Sequence, residues 1–400
     1  MRQIIGPCPP WLLQRSKFNL ELNFCDNMKP FFPNTSIPQV AVSTPEELLH
    51  ASLFGGRHPA LGGNPASSRY REFNRWRLVS SLGFLDFNRL GFLKADGVIR
   101  EADQSEKVAI SYSLGAMGAN LIARNVLGAR EVVHISSMDR FYPGWAEYRR
   151  GTRRRPDYIA VDGNNDCFVV EAKGARILQS KTRKSLINKG QTKAVLKVFR
   201  YPGGMFNPYS GHGFAPKARV GLATEYPRDT LRIFGVDPDP GLRINVSVEE
   251  IQDAYFKILL EKAEGFGNEG VGEGVERGPR FVWTVPETFE EYLTSRRQLD
   301  QLPEGSQSTA EHAPVSKSGK RQLWHQFQTT IAEAGLLGED WDLRTTRSFR
   351  LVEAATDEHL QRLIEIAQEM WGESGPLILE GLLREELSLS DGTRIELIAE

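Results

Sequence analysis

The chain has 400 residues, of which 40% are apolar and 25% charged, and its 50 Lys and Arg side chains nearly balance 51 Asp and Glu. This composition is sufficient for two or three packed domains and excludes wholesale disorder. The formal charge of −1 gives no overall indication of a nucleic-acid partner.

Residues 1–104 are predicted to form an N-terminal arm followed by a helical annex. Residues 1–43 are rich in Pro, Asn and Phe and show no sustained periodicity, which predicts an irregular arm. Thr44, with Glu47 three residues later, has the pattern of a capped helix start. A second helix is predicted over residues 67–85.

Residues 105–230 show the clearest pattern of helices and strands, in the order αβββαβ. Ser105 is placed to cap the first helix, whose apolar residues recur at helical spacing. A turn between the second and third strands is predicted from the Asp, Gly and Asn residues that separate them. The remaining predicted elements are strands at 130–136, 157–161, 167–172 and 218–226 and a basic helix at 183–200.

The rest of the chain is predicted to form an annex and a separate module. Residues 231–300 form the annex, with a helix over 248–264 that a capping-box pattern opens. The composition of residues 301–320 is typical of a flexible linker. Residues 321–400 are predicted to be a mainly helical module that ends in a hairpin. We expect it to bind a protein partner, a second copy of the chain or nucleic acid, and its acidic residues favour the protein partner.

Two neighbouring predicted strands bring charged side chains to one edge of the sheet. Asp157 opens the first strand, and Glu171 and Lys173 close the second. Side chains two residues apart on a strand point to the same face, so Glu171 and Lys173 are expected to project together, with Asp157 alongside. Mg²⁺ prefers oxygen ligands and activates water beside a phosphodiester. The pattern therefore predicts metal-assisted phosphodiester hydrolysis, in which Lys173 stabilises charge in the transition state.

At these residues the sequence resembles the PD-(D/E)xK nuclease superfamily, whose members have the restriction-endonuclease-like fold. Pro156-Asp157 matches the PD half of the motif, and Glu171-Ala172-Lys173 matches the ExK half. The order of the predicted elements also matches the αβββαβ core of that family. The resemblance covers about 120 residues and leaves both flanks of the chain outside it.

The resemblance implies an α/β fold with a restriction-endonuclease-like core, a mixed sheet and a divalent-metal site. The implied metal ligands are Asp157, Glu171 and the backbone carbonyl of Ala172, and the implied cofactor is Mg²⁺ or Mn²⁺. Lys173 is the implied catalytic lysine. Gln191, on the helix after the third strand, matches a glutamine that supports the site in many members.

The helix before the first strand departs from the family pattern. Many members carry an acidic residue inside this helix, but here the helix offers only Glu106, in its first turn. Either Glu106 reaches the site, or fewer carboxylates hold the metal. The sequence leaves both alternatives open.

The near-neutral net charge conceals a strongly basic segment. Between residues 149 and 200, fourteen Lys and Arg stand against four carboxylates, a local charge of +10 that leaves −11 for the remainder. A nucleic-acid backbone is the partner expected for such a segment. The predicted nucleic-acid contacts are Arg149, Arg150, Arg153, Arg154, Arg155, Arg176, Lys181, Lys184, Lys189 and Lys193.

A second basic and aromatic segment lies at residues 69–77. Its interleaved Arg and aromatic side chains can stack on bases or contact phosphates. The alternative, which we favour, is that Tyr70, Phe73, Trp76 and Leu78 form the apolar side of an amphipathic helix.

The expected function is that of a divalent-metal-dependent endonuclease that acts on DNA or, as the less favoured alternative, on RNA, with antiphage defence or restriction as the setting. One alternative is a catalytically silent nucleic-acid-binding or assembly subunit that keeps the nuclease fold. Another is a transposase-type nuclease subunit that is active only with a partner. The three cysteines lie far apart and no stretch approaches the ~20 apolar residues that span a bilayer, so we expect a cytoplasmic protein without a membrane partner.

Overall fold

The fold is given by a computed structural model. The residues that it describes are 2–32, 35–57, 68–142, 156–179, 218–227, 230–236, 248–266, 279–300, 365–370, 389, 391 and 393–398. The chain divides into two units, one of Arg2–Val285 with Glu396–Glu400 and the other of Pro286–Ile395.

The secondary structure of the described residues combines short strands with helices of varied length. The strands are β1 (Arg2–Pro7), β2 (Phe18–Phe24), β3 (Val40–Ser43), β4 (Leu85–Phe87), β5 (Leu93–Ala95), β6 (Ala129–His134), β7 (Tyr158–Asp162), β8 (Cys167–Ala175), β9 (Ala218–Glu225), β10 (Arg232–Val236), β11 (Arg280–Val285) and β12 (Arg394–Ile398). The α-helices are α1 (Pro45–Phe54), α2 (Ser68–Leu82), α3 (Gln104–Asn125), α4 (Ile135–Phe141), α5 (Val248–Phe266) and α6 (Phe289–Asp300). Short 3-10 helices cover Pro10–Gln14, Asp26–Phe31 and Gly97–Arg100.

Seven of these strands form a mixed sheet in the order β3-β2-β10-β9-β8-β7-β6. β6, β7 and β8 pair antiparallel, whereas β9 is parallel to β8 and β2 is parallel to β10. The predicted α/β class with a mixed sheet is thereby confirmed. The restriction-endonuclease-like αβββαβ core stays a prediction, because the basic helix predicted at 183–200 lies outside the described residues.

The prediction of an irregular arm over residues 1–43 is wrong, because β1, β2 and β3 form there. β2 buries Phe18, Leu20 and Leu22, while the residues between them are less buried. This alternation is a strand pattern that the Pro-rich and Asn-rich composition obscured. The sheet therefore reaches beyond the predicted core, since β2 and β3 come from the N-terminal annex and β10 from the annex that follows the core.

Side-chain caps define where α1 and α3 begin. In α1 the hydroxyl of Thr44 accepts the N–H of Glu47, whose carboxylate accepts the N–H of Thr44, so the predicted start is confirmed. In α3 the cap is Asp103, whose carboxylate accepts the N–H groups of Ser105 and Glu106. The prediction that Ser105 caps this helix is therefore wrong, because an Asp two residues earlier supplies the acceptor.

A tight turn joins β7 to β8 where the sequence predicts one. The carboxylate of Asp162 accepts the N–H groups of Asn164 and Asp166, each at 2.9 Å. Asn165 adopts a φ of 61°, which Asn tolerates better than most residues. All of β7 and the first four residues of β8 are buried. The turn thereby aligns two buried strands. As a result Asp157, just before β7, lies beside Val170 and Ala172 of β8.

α2 buries a different face from the predicted one. Leu78 is buried as expected, but Trp76 is 50% exposed, so its assignment to the apolar side is wrong. The buried face is largely polar: Arg77 is only 6% exposed, and the hydroxyl of Ser80 lies 3.0 Å from that of Ser113 on α3. Small hydroxyl side chains therefore take part in the contact between α2 and α3.

The longest helices of the described residues are α3 and α5, and the helix predicted over 248–264 is present as α5. Within the described ranges, no helix has both the length and the apolar character needed to cross a membrane.

A second, three-stranded sheet has the order β1-β11-β12, with β1 antiparallel to β11. Before β12, the N–H of Leu389 donates to the carbonyl of Thr393. Residues 301–364 and 371–388 lie outside the described residues, and with them the predicted linker and most of the predicted C-terminal module.

Candidate active site

Hydrogen bonds of the main chain fix Asp157 between two strands. Asp157 directly precedes β7, its N–H donates to the carbonyl of Val170 at 3.1 Å, and its carbonyl accepts the N–H of Ile135 at 2.9 Å. Its carboxylate also accepts the N–H of Ala172, at 2.8 Å. Asp157 is therefore held against the part of β8 that carries the ExK residues.

The ammonium group of Lys173 lies among oxygen atoms of the residues predicted to be metal ligands. Its Nζ is 2.8 Å from Oε1 of Glu171, 2.9 Å from the carbonyl oxygen of Ala172 and 4.0 Å from Oδ2 of Asp157. The structure thus brings together Asp157, Glu171, Ala172 and Lys173 at one edge of the sheet. In this arrangement a cation, the ammonium itself, bridges the two carboxylates.

The carboxylates determine the protonation of Lys173. Burial by itself lowers the pKa of this ammonium, but the charges of Glu171 and Asp157 outweigh burial and raise the pKa above its ordinary value. Lys173 is therefore a cation at neutral pH. It can stabilise negative charge or orient a water molecule, but it cannot act as a general base while both carboxylates remain beside it.

The donor set fits a hard divalent cation. Two carboxylates and a carbonyl oxygen converge on the Lys173 ammonium, and Mg²⁺ combines such ligands with several water molecules. No group of three or more His, Cys, Asp or Glu side chains that could hold a metal occurs among the described residues. A metal at this site would complete its coordination with water or substrate oxygens.

Glu106 caps the N-terminus of α3 and is not among the acidic groups beside Lys173. Its carboxylate accepts the N–H of Asp103 at 2.8 Å, which completes the capping box of α3. The α3 side chain with an electrostatic effect on Lys173 is Tyr112, which is 51% exposed. Glu106 therefore does not reach Lys173 in this structure, and the alternative that fewer carboxylates hold a metal stays a prediction.

Two glycines allow α3 to lie directly against the backbone of β8. A Cβ atom at Gly115 would lie 2.5 Å from the backbone nitrogen of Gly174 and 2.6 Å from the carbonyl carbon of Lys173. A Cβ atom at Gly174 would overlap the carbonyl oxygen of Ser111. The position of Lys173 thus depends on this close approach, which the sequence analysis missed. Glycines three residues apart in α3, at 115 and 118, are the signal that could have indicated it.

Of the predicted nucleic-acid contacts, one lies among the described residues. Arg176 follows β8 and is exposed. Gln191 lies outside the described residues, as do the other predicted basic contacts, which are Arg149, Arg150, Arg153, Arg154, Arg155, Lys181, Lys184, Lys189 and Lys193.

Comparison of the chain with protein-family models, with curated proteins and with solved structures finds no match.

Proposed function

We propose that the chain is a divalent-metal-dependent nuclease that hydrolyses phosphodiester bonds, and we favour DNA over RNA as the nucleic acid that it cleaves. The observation that carries the proposal is the placement of Asp157, Glu171 and the Ala172 carbonyl around one cationic group. Two carboxylates and a lysine that gather at the end of buried strands are a candidate functional site, because groups whose pKa values are shifted by burial and by specific charge partners cluster at such sites.

In the proposed enzyme, Asp157, Glu171 and the carbonyl of Ala172 would hold Mg²⁺ or Mn²⁺. The bound cation would polarise a phosphoryl oxygen and lower the pKa of a coordinated water molecule. Lys173 has the charge and the raised pKa to remain an ammonium beside the phosphate. Its part is to stabilise negative charge that develops on the phosphoryl oxygens and to orient the attacking water.

The experiment is a cleavage assay on the purified full-length chain. DNA and RNA are incubated with the protein in Mg²⁺, in Mn²⁺ and in EDTA, beside the variants Asp157→Ala and Lys173→Ala. We expect cleavage by the unaltered chain in the presence of metal and none by either variant. Cleavage that survives both substitutions contradicts the proposal, because a contaminating nuclease or another site would then be responsible.

A second candidate function is a nucleic-acid-binding or assembly subunit that lacks catalysis. The observation in its favour is the engagement of Glu106 in the capping box of α3, which leaves the site without the helix acid of the resembled family. This candidate predicts salt-sensitive nucleic-acid binding without metal-dependent cleavage. A subunit that is active only with a partner predicts cleavage in the complex and none by the chain alone.

A further inference from the structure

The seven-stranded sheet ends at β3 in an edge that no other strand of the described residues covers. β3 pairs with β2 on one side only, antiparallel, with Val40 opposite Glu21. The side chains of Val40 and Val42 are each 44% exposed. At the opposite end of the sheet, β6 is largely buried. Within the described part of the chain, the open edge of this sheet is therefore β3.

The hydrogen bonds of β2 indicate which backbone groups of β3 point to the open side. The N–H of Leu22 donates to the carbonyl oxygen of Gln39 at 2.8 Å, so these two residues form a hydrogen-bonded pair. Such pairs alternate along antiparallel strands with pairs that are not hydrogen-bonded. Val40 and Val42 therefore occupy pairs of the second kind, and their N–H and C=O groups point away from β2. Asn19, which lies opposite Val42, agrees with this, because its N–H donates to a carbonyl just before β5 and not to β3.

β3 carries none of the features that commonly keep an edge strand from pairing. Its sequence, VAVS, contains no charged residue and no proline, and its register with β2 has no bulge. Native edge strands are often protected by lysine or another charge, by proline or by a bulge. The edge strands of the three-stranded sheet follow this rule, since β1 contains Arg2 and Pro7 and β12 contains Arg394 and Glu396. The unprotected edge of β3 therefore favours pairing with a further strand.

The outward groups of β3 are complementary to those of a second β3. In an antiparallel pair with Ala41 opposite Ala41 of the second copy, Val40 of each copy lies opposite Val42 of the other. Both valines point their N–H and C=O groups outward, so each of these cross-strand pairs is a hydrogen-bonded pair. Their side chains meet on one face, where β-branched neighbours stabilise a sheet. β3 has no charge that could repel its own copy.

A second copy fits this edge better than a free peptide does. Val40 and Val42 are the residues of β3 with outward backbone groups, so the new ladder is short. A disordered peptide would lose conformational entropy on pairing, and a short ladder offsets that loss poorly. A second β3 is already an ordered strand beside its own β2, so this cost is absent. The uncharged edge also offers no basis for attracting a charged peptide.

We infer that the chain forms a two-fold symmetric dimer through antiparallel pairing of β3 with β3 of a second copy. The two seven-stranded sheets then become one continuous sheet, and the same surface is used on both subunits. Three strands, β2, β10 and β9, separate β3 from β8, so the interface leaves Lys173 uncovered. The inference does not rest on the proposed function, because it requires neither a metal nor nucleic acid.

The test uses charge pairs whose effect depends on this register. Sedimentation velocity of the full chain at rising protein concentration is expected to show a reversible dimer. In V40K/V42K each new ammonium group lies opposite another across the two-fold axis, and the dissociation constant of the dimer is expected to rise about tenfold or more. In V40K/V42E each ammonium group lies opposite a carboxylate, so the dimer is expected to persist. L90K adds a charge at a side chain that is 78% exposed and serves as the control, with no change expected.

Hydrogen exchange gives a second measurement, which needs no variant. The N–H groups of Val40 and Val42 are expected to become protected as the dimer forms. The N–H of Ala41, which the register directs to Leu20 of β2, is expected to be protected at every concentration. Circular dichroism checks that the variants keep the fold.

Several results would overturn the inference. One is a chain that stays monomeric up to the highest concentration at which it is soluble, and another is a dimer that V40K/V42K leaves intact. An equal loss of the dimer in V40K/V42K and V40K/V42E would contradict the antiparallel register. Protection of the Val40 and Val42 N–H groups without a change in sedimentation would mean that another segment of the same chain covers β3, and it would also overturn the inference.

Discussion

The backbone N–H of Ala172 donates a 2.8 Å hydrogen bond to the carboxylate of Asp157, which joins the PD half of the motif to the ExK half. The same carboxylate lies 4.0 Å from Nζ of Lys173. The Asp157 carboxylate therefore has two partners in the site, the N–H of Ala172 and the ammonium group of Lys173. The two roles are separable by substitution, because an amide can accept the hydrogen bond but carries no charge.

Asp157→Asn is expected to keep the fold and lose the activity. The amide oxygen can accept the Ala172 N–H, so the free energy of unfolding should stay within about 0.5 kcal/mol, whereas Asp157→Ala should lose about 1 kcal/mol because the side chain is partly exposed. Metal-dependent cleavage should fall about a hundredfold or more in both variants. Urea unfolding and cleavage rates provide the two readouts. Glu290→Gln, a neutralised exposed carboxylate on α6, is the control, and equal cleavage by Asp157→Asn and this control would refute the role of the charge.

Lys173→Met is expected to bind divalent cations more tightly than the unaltered chain while losing cleavage. The ammonium occupies the same oxygens of Glu171, Ala172 and Asp157 that are proposed to hold the metal, so an added cation has to displace it. Methionine keeps a similar length without the charge. Calorimetric titration with Mn²⁺ would measure the affinity, with Lys94→Met as the control for loss of a partly exposed lysine. A weaker affinity in Lys173→Met would place the metal elsewhere.

The contact between Asp157 and β8 could be predicted from the sequence, because only one strand and one turn separate them in the chain. A turn of four residues, 163–166, joins the two strands, and the residue types of Asp162 and Asn165 indicate its position. The alternation of more and less buried residues in β2 also has a counterpart in the sequence, but the Pro-rich and Asn-rich composition of residues 1–43 obscures it. The burial of Arg77 could not be predicted in this way, because it depends on contacts with Arg57 and on helices that meet only in the folded chain.

Gly115→Ala is expected to destabilise the protein and to reduce cleavage together. Alanine raises helix propensity by about 1 kcal/mol, but its Cβ would lie 2.5 to 2.8 Å from the backbone of Lys173 and Gly174, and such overpacking costs about 1–3 kcal/mol. The strand has to shift, and Lys173 moves with it. The control is Gly97→Ala, whose Cβ would meet no atom within 4 Å. Denaturant unfolding of both variants checks the prediction, which fails if they are equally stable.

Lys262→Met is expected to remove part of the pH dependence of stability. Lys262 is 1% exposed, and its Nζ donates to the side-chain oxygen of Asn74 at 3.0 Å. Burial, with the charge of Arg77, lowers its pKa well below the ordinary value in the folded protein. Between that lowered pKa and the unfolded value of about 10.4, the unfolded chain binds more protons than the folded one. Stability therefore rises with pH across this window and levels off above it.

The methionine variant lacks this proton uptake, so its stability advantage over the unaltered chain should be greatest at the acidic end of the window and shrink as the pH rises. Urea unfolding of both proteins at intervals from pH 6 to pH 10 gives the difference directly. Lys29→Met, which removes an exposed lysine, should show no such trend. A difference between Lys262→Met and the unaltered chain that stays constant with pH would mean that Lys262 keeps its proton in the folded state. The ammonium would then need an acidic partner, yet its hydrogen bond is to the neutral amide of Asn74.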